Sequence, residues 1–255
     1  MPHPHGRYLP LSLPRRFVCD LIHFAKQTPT VPMERRMRLA PLVAARAAAE
    51  PRPGWCAVFL KAYAIVAARR PVLRQAYIPF PWPRLYEHPI NVASVGIERR
   101  YDDTEAVFFA QVRSPEQLSL LELTAQLEHA KEAPIENISH FRRILRVSSL
   151  PRPLRRLAWW LGLNASGYWR AKYMGTQAVS VVAGLGAAGL HLLSPLTSAL
   201  NYGVFEEDGS LPVRLTYDHR VMDGGTAARA LEELEGVLLG EIVTEIRYLE
   251  AVRAA

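Results

Sequence analysis

Tyr217-Asp218-His219-Arg220-Val221-Met222-Asp223-Gly224-Gly225 joins a strand pattern to a helix pattern through a histidine. Before it, Pro212 to Tyr217 is strand-like. After it, Ala227, Leu231, Leu234 and Leu238 recur at helical spacing on a helix expected from Asp223 to Gly240. His219 therefore ends a strand, and Gly224-Gly225 opens a helix. A strand-to-helix turn holds a side chain at the rim of a cleft, and imidazole is the side-chain type that exchanges protons in the neutral range. His219 is thus a candidate general base. Asp223, four residues on, is placed to brace the turn through an arginine or a backbone amide, and glycine beyond it lets a backbone or a ligand come close. A histidine beside Asp and Arg also fits a plain hydrogen-bonded turn residue, so the motif alone leaves both readings open.

Working outward, residues 1–13 are proline-rich and read as an extended arm. Helical spacing runs from Pro14 to Lys26, alternation from Val31 to Leu39, and helices are expected over Leu42–Glu50 and Trp55–Arg70, each ended by proline. After the loop Pro79-Phe80-Pro81-Trp82-Pro83, Ile90–Arg99 and Glu105–Val112 form a hairpin through Tyr101-Asp102-Asp103-Thr104. Ser114-Pro115-Glu116 predicts the start of a helix reaching Lys131. Gln177–Ala183, Leu200–Phe205 and Pro212–Tyr217 are strand-like, the last two joined through Glu206-Glu207-Asp208-Gly209. Strands and helices are interleaved with no linker, which predicts one α/β domain over residues 14–255.

No apolar run approaches the roughly 20 residues that span a bilayer, and the N-terminus has no secretory pattern. Cys19 and Cys56 make neither a disulfide framework nor a metal site, so a cytoplasmic location is expected. The net charge of +7 is concentrated in one place. Residues 134–175 carry eight Arg or Lys and one acid, Glu136, and read as an insertion.

Asp-His-Arg-Val-x-Asp-Gly resembles the signature of the acyltransferase core of 2-oxo acid dehydrogenase complexes, which is related to chloramphenicol acetyltransferase. Gly175-Thr176-Gln177-Ala178-Val179-Ser180 is similar to the family's Gly-Thr-x-x-x-Ser strand. Phe59-Leu60-Lys61-Ala62-Tyr63 and Arg70-Pro71-Val72-Leu73 match its helix motif and the turn that ends it. The order of elements fits from about Arg15 to Leu239. The resemblance implies a chloramphenicol acetyltransferase-like α/β (α+β, two-layer) fold, a mixed sheet flanked by helices. It implies acyl transfer from a coenzyme A or acyl carrier protein thioester to a hydroxyl, thiol or amine. His219 would be the base, the Ser180 hydroxyl would stabilise the oxyanion, and Thr176 is a further oxyanion or strand-motif candidate. Asp223 would be structural, paired with Arg15 or Arg16, with Asp218, Arg220 and Gly224 supporting the site. A homotrimer with active sites between subunits is also implied.

The chain departs from that pattern. The core begins almost at once, so no lipoyl domain and no covalently bound lipoyl group are expected. Val181-Val182-Ala183-Gly184 stands where the family has Asn-Leu-Gly, which puts dihydrolipoamide as acceptor in question. Two alternatives follow: a non-catalytic trimeric scaffold, and a dihydrolipoamide acyltransferase core served by lipoyl domains on another chain.

Competing motifs carry less. Gly184-Leu185-Gly186-Ala187-Ala188-Gly189 fits G-x-G-x-x-G, but Pro195 leaves little room for the helix that a dinucleotide site needs, so a turn is expected. His3 and His5, in the arm, and the scattered His23, His88, His129, His140 and His191 show no metal-ligand spacing, and no metal is expected. In the basic segment, Arg142, Arg143, Arg155 and Arg156 beside Trp159-Trp160 suit an anionic membrane surface or an acidic carrier protein. That would make the protein peripheral at the inner membrane surface. The bland reading packs the tryptophans on the core and leaves the arginines in solvent. No nucleic-acid motif is present.

Overall fold

A computed structural model describes residues 6–254. Its centre is a six-stranded mixed sheet in the order β1-β8-β7-β6-β4-β5, built from β1 (Thr30–Arg38), β4 (Val92–Tyr101), β5 (Thr104–Arg113), β6 (Gln177–Val179), β7 (Ser198–Tyr202) and β8 (Ser210–Asp218). β4, β6 and β7 run parallel, and the other pairings are antiparallel. A separate hairpin, β2 (Gln75–Ile78) with β3 (Arg84–Glu87), flanks the proline-rich loop. Alternation is weak in both of these short strands, and the sequence reads there as loop.

Helix α3 (Trp55–Arg69) is the hub of the core. Ala57 through Ala64 are buried without a break, so the helix is covered on all sides, by α4 (Leu120–Glu132) and α8 (Gly224–Val237) among others. α2 (Ala40–Ala48) packs on α9 (Val243–Ala254). The closing helix does not stop at Gly240. A five-residue π-helical turn, Leu238–Ile242, carries it on into α9, with Leu238 and Ile242 buried. Helices α1 (Leu13–Ala25), α5 (Ser139–Ser149) and α6 (Arg152–Asn164) gather at the β5 end, and α7 (Gly167–Met174) leads into β6. These helices cover an edge strand whose unpaired backbone groups would otherwise be open to association.

Two local readings change. Asp102 and Asp103 both have positive φ, as a tight turn between right-twisted strands requires, and the expected hairpin forms. The expected helix from Ser114 does not. Ser114 is left-handed (φ 45°) and begins a short 3-10 turn over Pro115–Gln117, while α4 starts later under a capping box in which Ser119 and Glu122 satisfy each other's backbone amides.

Candidate active site

His219 stands immediately after β8, and its position is set by four surrounding contacts. Its amide donates to the Pro29 carbonyl at 3.1 Å, tying the turn to the entry of β1. The Asp218 amide donates to the Thr197 carbonyl at 2.8 Å. The Asp218 carboxylate is fully buried and receives Arg220 three times: from the backbone amide at 3.0 Å, from Nε at 2.9 Å and from Nη2 at 2.7 Å. The Arg220 guanidinium in turn lies 4.5 Å over the Tyr77 ring. A buried carboxylate held by a bidentate guanidinium makes a rigid turn. The imidazole itself is left 49% exposed, 5.7 Å from the Tyr217 ring.

Within one chain, the turn is braced by Asp218 with Arg220. The Asp223 carboxylate is 87% exposed and lies 3.6 Å from His219 Nδ1, beyond hydrogen-bond length. Its backbone carbonyl does the local work, accepting from Thr226 and Ala227 at the start of α8. Arg15 does not reach it. Arg15 is exposed on α1, two residues before Phe17, which packs on Phe109 of β5 at the far edge of the sheet. Arg16 donates instead to the Leu11 carbonyl. Gly224 opens α8 beside Tyr217, where a Cβ would lie 3.4 Å from the phenol hydroxyl, an ordinary van der Waals contact.

Two further groups at this end of the sheet had no signal in the sequence. His191 Nε2 lies 2.9 Å from the hydroxyl of Thr30, the residue paired with Asp218. Arg170 is buried within the electrostatic reach of Asp218 and donates to the Leu163 and Pro195 carbonyls. Burial pulls its guanidinium down to about 10. Through Pro195 it props the segment whose Thr197 carbonyl holds Asp218.

Ser180 lies elsewhere. It follows β6, its amide donates to Leu200, and its Oγ sits over Gly96, 3.2 Å from where a Cβ would be. Val179 pairs with Leu200 and Leu200 with Leu215, so Ser180 is level with about Arg214, two strands away and five residues short of His219. At about 3.3 Å per residue and about 4.8 Å per strand, Ser180 and His219 of one chain are roughly 19 Å apart. They cannot share one reacting carbonyl within a single chain. Thr176 is buried, and its hydroxyl joins β4 to β6 by accepting from the Val92 amide and donating to the Val92 carbonyl.

Two cavities lie along this part of the sheet, one lined by Ala178 and the other by Val181. A cleft of about 490 Å³ runs past Gly96 and Val181 toward Trp55 and Lys131. An apolar cavity of about 400 Å³ lies between the sheet and helices α1, α5 and α6, with Ser94, Phe109 and Ala178 in its floor. The glycine run at 184–189 opens no helix. A 3-10 turn at Ala183–Leu185 ends at Gly186 (φ 74°), and irregular chain follows to β7, so no dinucleotide-binding unit forms.

The basic segment divides between inside and outside. Asp20 on α1 is fully buried and takes both Arg155 and Arg156, the latter at 2.9 Å, while Trp159 packs between Phe17 and Phe24. Arg155 and Trp159, singled out as contact residues for a membrane or carrier, are thus interior. Arg142 and Trp160 are exposed, and Arg143 lies 5.0 Å over the Tyr173 ring. Among the described residues no group of His, Cys, Asp and Glu is placed to hold a metal, and no helix is long and apolar enough to cross a membrane. His3 and His5 lie outside the described residues.

Neither a family model nor a curated protein matches this sequence. Solved structures do. The chain is similar to the dihydrolipoamide acetyltransferase of Azotobacter vinelandii at 20% identity, with 96% of this chain and 94% of that one covered and a TM-score of 0.68. It is similar to the catalytic core of the 2-oxoacid dehydrogenase complex of Thermoplasma acidophilum at 17% identity, covering 92% and 99%, with a TM-score of 0.64. Chloramphenicol acetyltransferase follows at 14% identity, covering 86% and 94%, with a TM-score of 0.52. The chain has the chloramphenicol acetyltransferase-like fold. The fold expected from the His219 motif is the fold observed, a mixed sheet with helices packed against it.

Proposed function

We propose that the protein transfers an acyl group from a coenzyme A or carrier-protein thioester to a hydroxyl, thiol or amine, in active sites formed between copies of the chain. The carrying observation is the His219 turn: a half-exposed imidazole on a strand end that a buried Asp218–Arg220 pair holds rigid. The structural neighbours add support. The Azotobacter vinelandii enzyme was studied for the roles of a serine, a histidine and an asparagine in its catalytic mechanism, and that asparagine lies four residues after the histidine, the spacing of His219 and Asp223 here. Another neighbour is the cubic core of the pyruvate dehydrogenase complex, a multi-copy assembly.

In this reading the acceptor hydroxyl, thiol or amine gives its proton to His219 as it attacks the thioester carbonyl. The negative charge gathers on the carbonyl oxygen, where the Ser180 hydroxyl of a neighbouring copy donates a hydrogen bond. The carbon–sulfur bond then breaks, the thiolate leaves, and the imidazolium returns the proton to it. The roughly 19 Å between the two groups in one chain is what calls for a second copy, and a homotrimer is the assembly proposed.

Thiol release from a panel of acyl-CoA donors with alcohol, thiol and amine acceptors tests the reading. Ser180→Ala is expected to lower kcat by about a hundredfold with KM for the donor little changed, since the lost bond is made to the transition state. Unchanged kcat would remove Ser180 from the chemistry. A wild-type protein that releases no thiol from any donor would overturn the acyl-transfer reading itself.

A further inference from the structure

A concave, mostly apolar cleft of about 400 Å³ that opens to the surface has the size and character of a small-molecule site. Its lining includes small residues on both the sheet and α6. On the sheet, Ser94 and Ala178 are paired neighbours on β4 and β6, where larger side chains would fill the layer. On α6, the lining positions include Ala158 and Gly162. Glycine inside a helix is destabilising relative to alanine, and here packing does not demand it, because a Cβ at Gly162 would meet no atom within 4 Å. Arg143 is the charged residue of the lining, which contains no Asp, Glu or Lys. His140, one of its polar members, is driven toward its neutral form by burial and by the Arg143 guanidinium.

The cavity also has an address. Ala178 precedes Ser180 by two residues, which puts both on the same face of the sheet about 7 Å apart. A thioester carbonyl held at Ser180 therefore lies about 7 Å from Ala178 in the cavity lining. We infer that this cavity binds the aliphatic chain of the acyl donor, on the order of ten carbons long. The length follows from the volume, at about 30 Å³ for each group of water or methylene size. The inference rests on the acyl-transfer reading above and deepens it by naming the donor class.

The test measures binding of decanoyl-CoA and acetyl-CoA to the assembled protein by calorimetry, in the wild type, Gly162→Phe and Ala178→Leu. Wild type is expected to bind decanoyl-CoA about tenfold or more tightly than acetyl-CoA, because the added methylenes leave water. Each substitution should abolish that preference and leave acetyl-CoA affinity unchanged, which also shows that the variant is folded. Equal affinities in the wild type, or a preference that survives both substitutions, would overturn the inference. Binding is read without turnover, so this result stands apart from the thiol-release panel. A protein that prefers decanoyl-CoA yet transfers nothing keeps the cavity and loses the parent reading. One that transfers acyl groups without chain preference does the reverse.

Discussion

Replacing His219 with alanine is expected to lower acyl transfer by about a thousandfold while leaving the fold intact. General base catalysis contributes about 10²–10⁴ in rate, and no other imidazole is held on the Asp218–Arg220 turn. The side chain is 49% exposed and makes no hydrogen bond within 3.5 Å among the described residues, so thermal unfolding should move little. His219→Gln should fail as badly, because an amide keeps the shape and hydrogen-bonding capacity of the site but cannot take up the proton. Equal thiol-release rates in wild type and both variants would show that the turn is structural only.

The second large effect is on stability. Asp20→Ala should destabilise the protein by about 3 kcal/mol or more, measured by denaturant unfolding. The Asp20 carboxylate is fully buried and meets two arginines, of which Arg155 is itself buried. Removing it strands a guanidinium away from water beside Trp159, and an uncompensated buried charge costs far more than the lost pair contributes. Arg156, at 22% side-chain exposure, can turn outward, so Arg156→Ala should cost much less. A loss below about 1 kcal/mol for Asp20→Ala would mean that α6 is not anchored to α1 through this carboxylate.

The same pair shows where sequence was and was not informative. The His219 run carried its own context, a strand pattern before and a helix pattern after, and both formed. The expected helices over residues 42–50 and 55–70 formed nearly in register, because their apolar spacing and prolines are local signals. Arg155 looked like part of a solvent-facing basic cluster because its partner is 135 residues away. Sequence spacing cannot show such a pairing. That Asp218 braces the turn within one chain has a similar cause: both Asp218 and Asp223 flank His219, and only the depth of β8 in the sheet decides which one is buried. Ser114 misled because a favourable cap sequence was overridden by a left-handed residue, and the working cap came five residues later. The distance between Ser180 and His219 depends on strand order, which no local pattern encodes.

That distance makes the most direct test one of complementation. His219→Ala and Ser180→Ala chains, each nearly inactive alone, are co-expressed in equal amounts and purified as one assembly, and thiol release is measured. If each active site takes His219 from one copy and Ser180 from another, a random mixture restores intact sites at one interface in four, giving about a quarter of the wild-type rate. A mixture no more active than its two parents would contradict a site shared between copies.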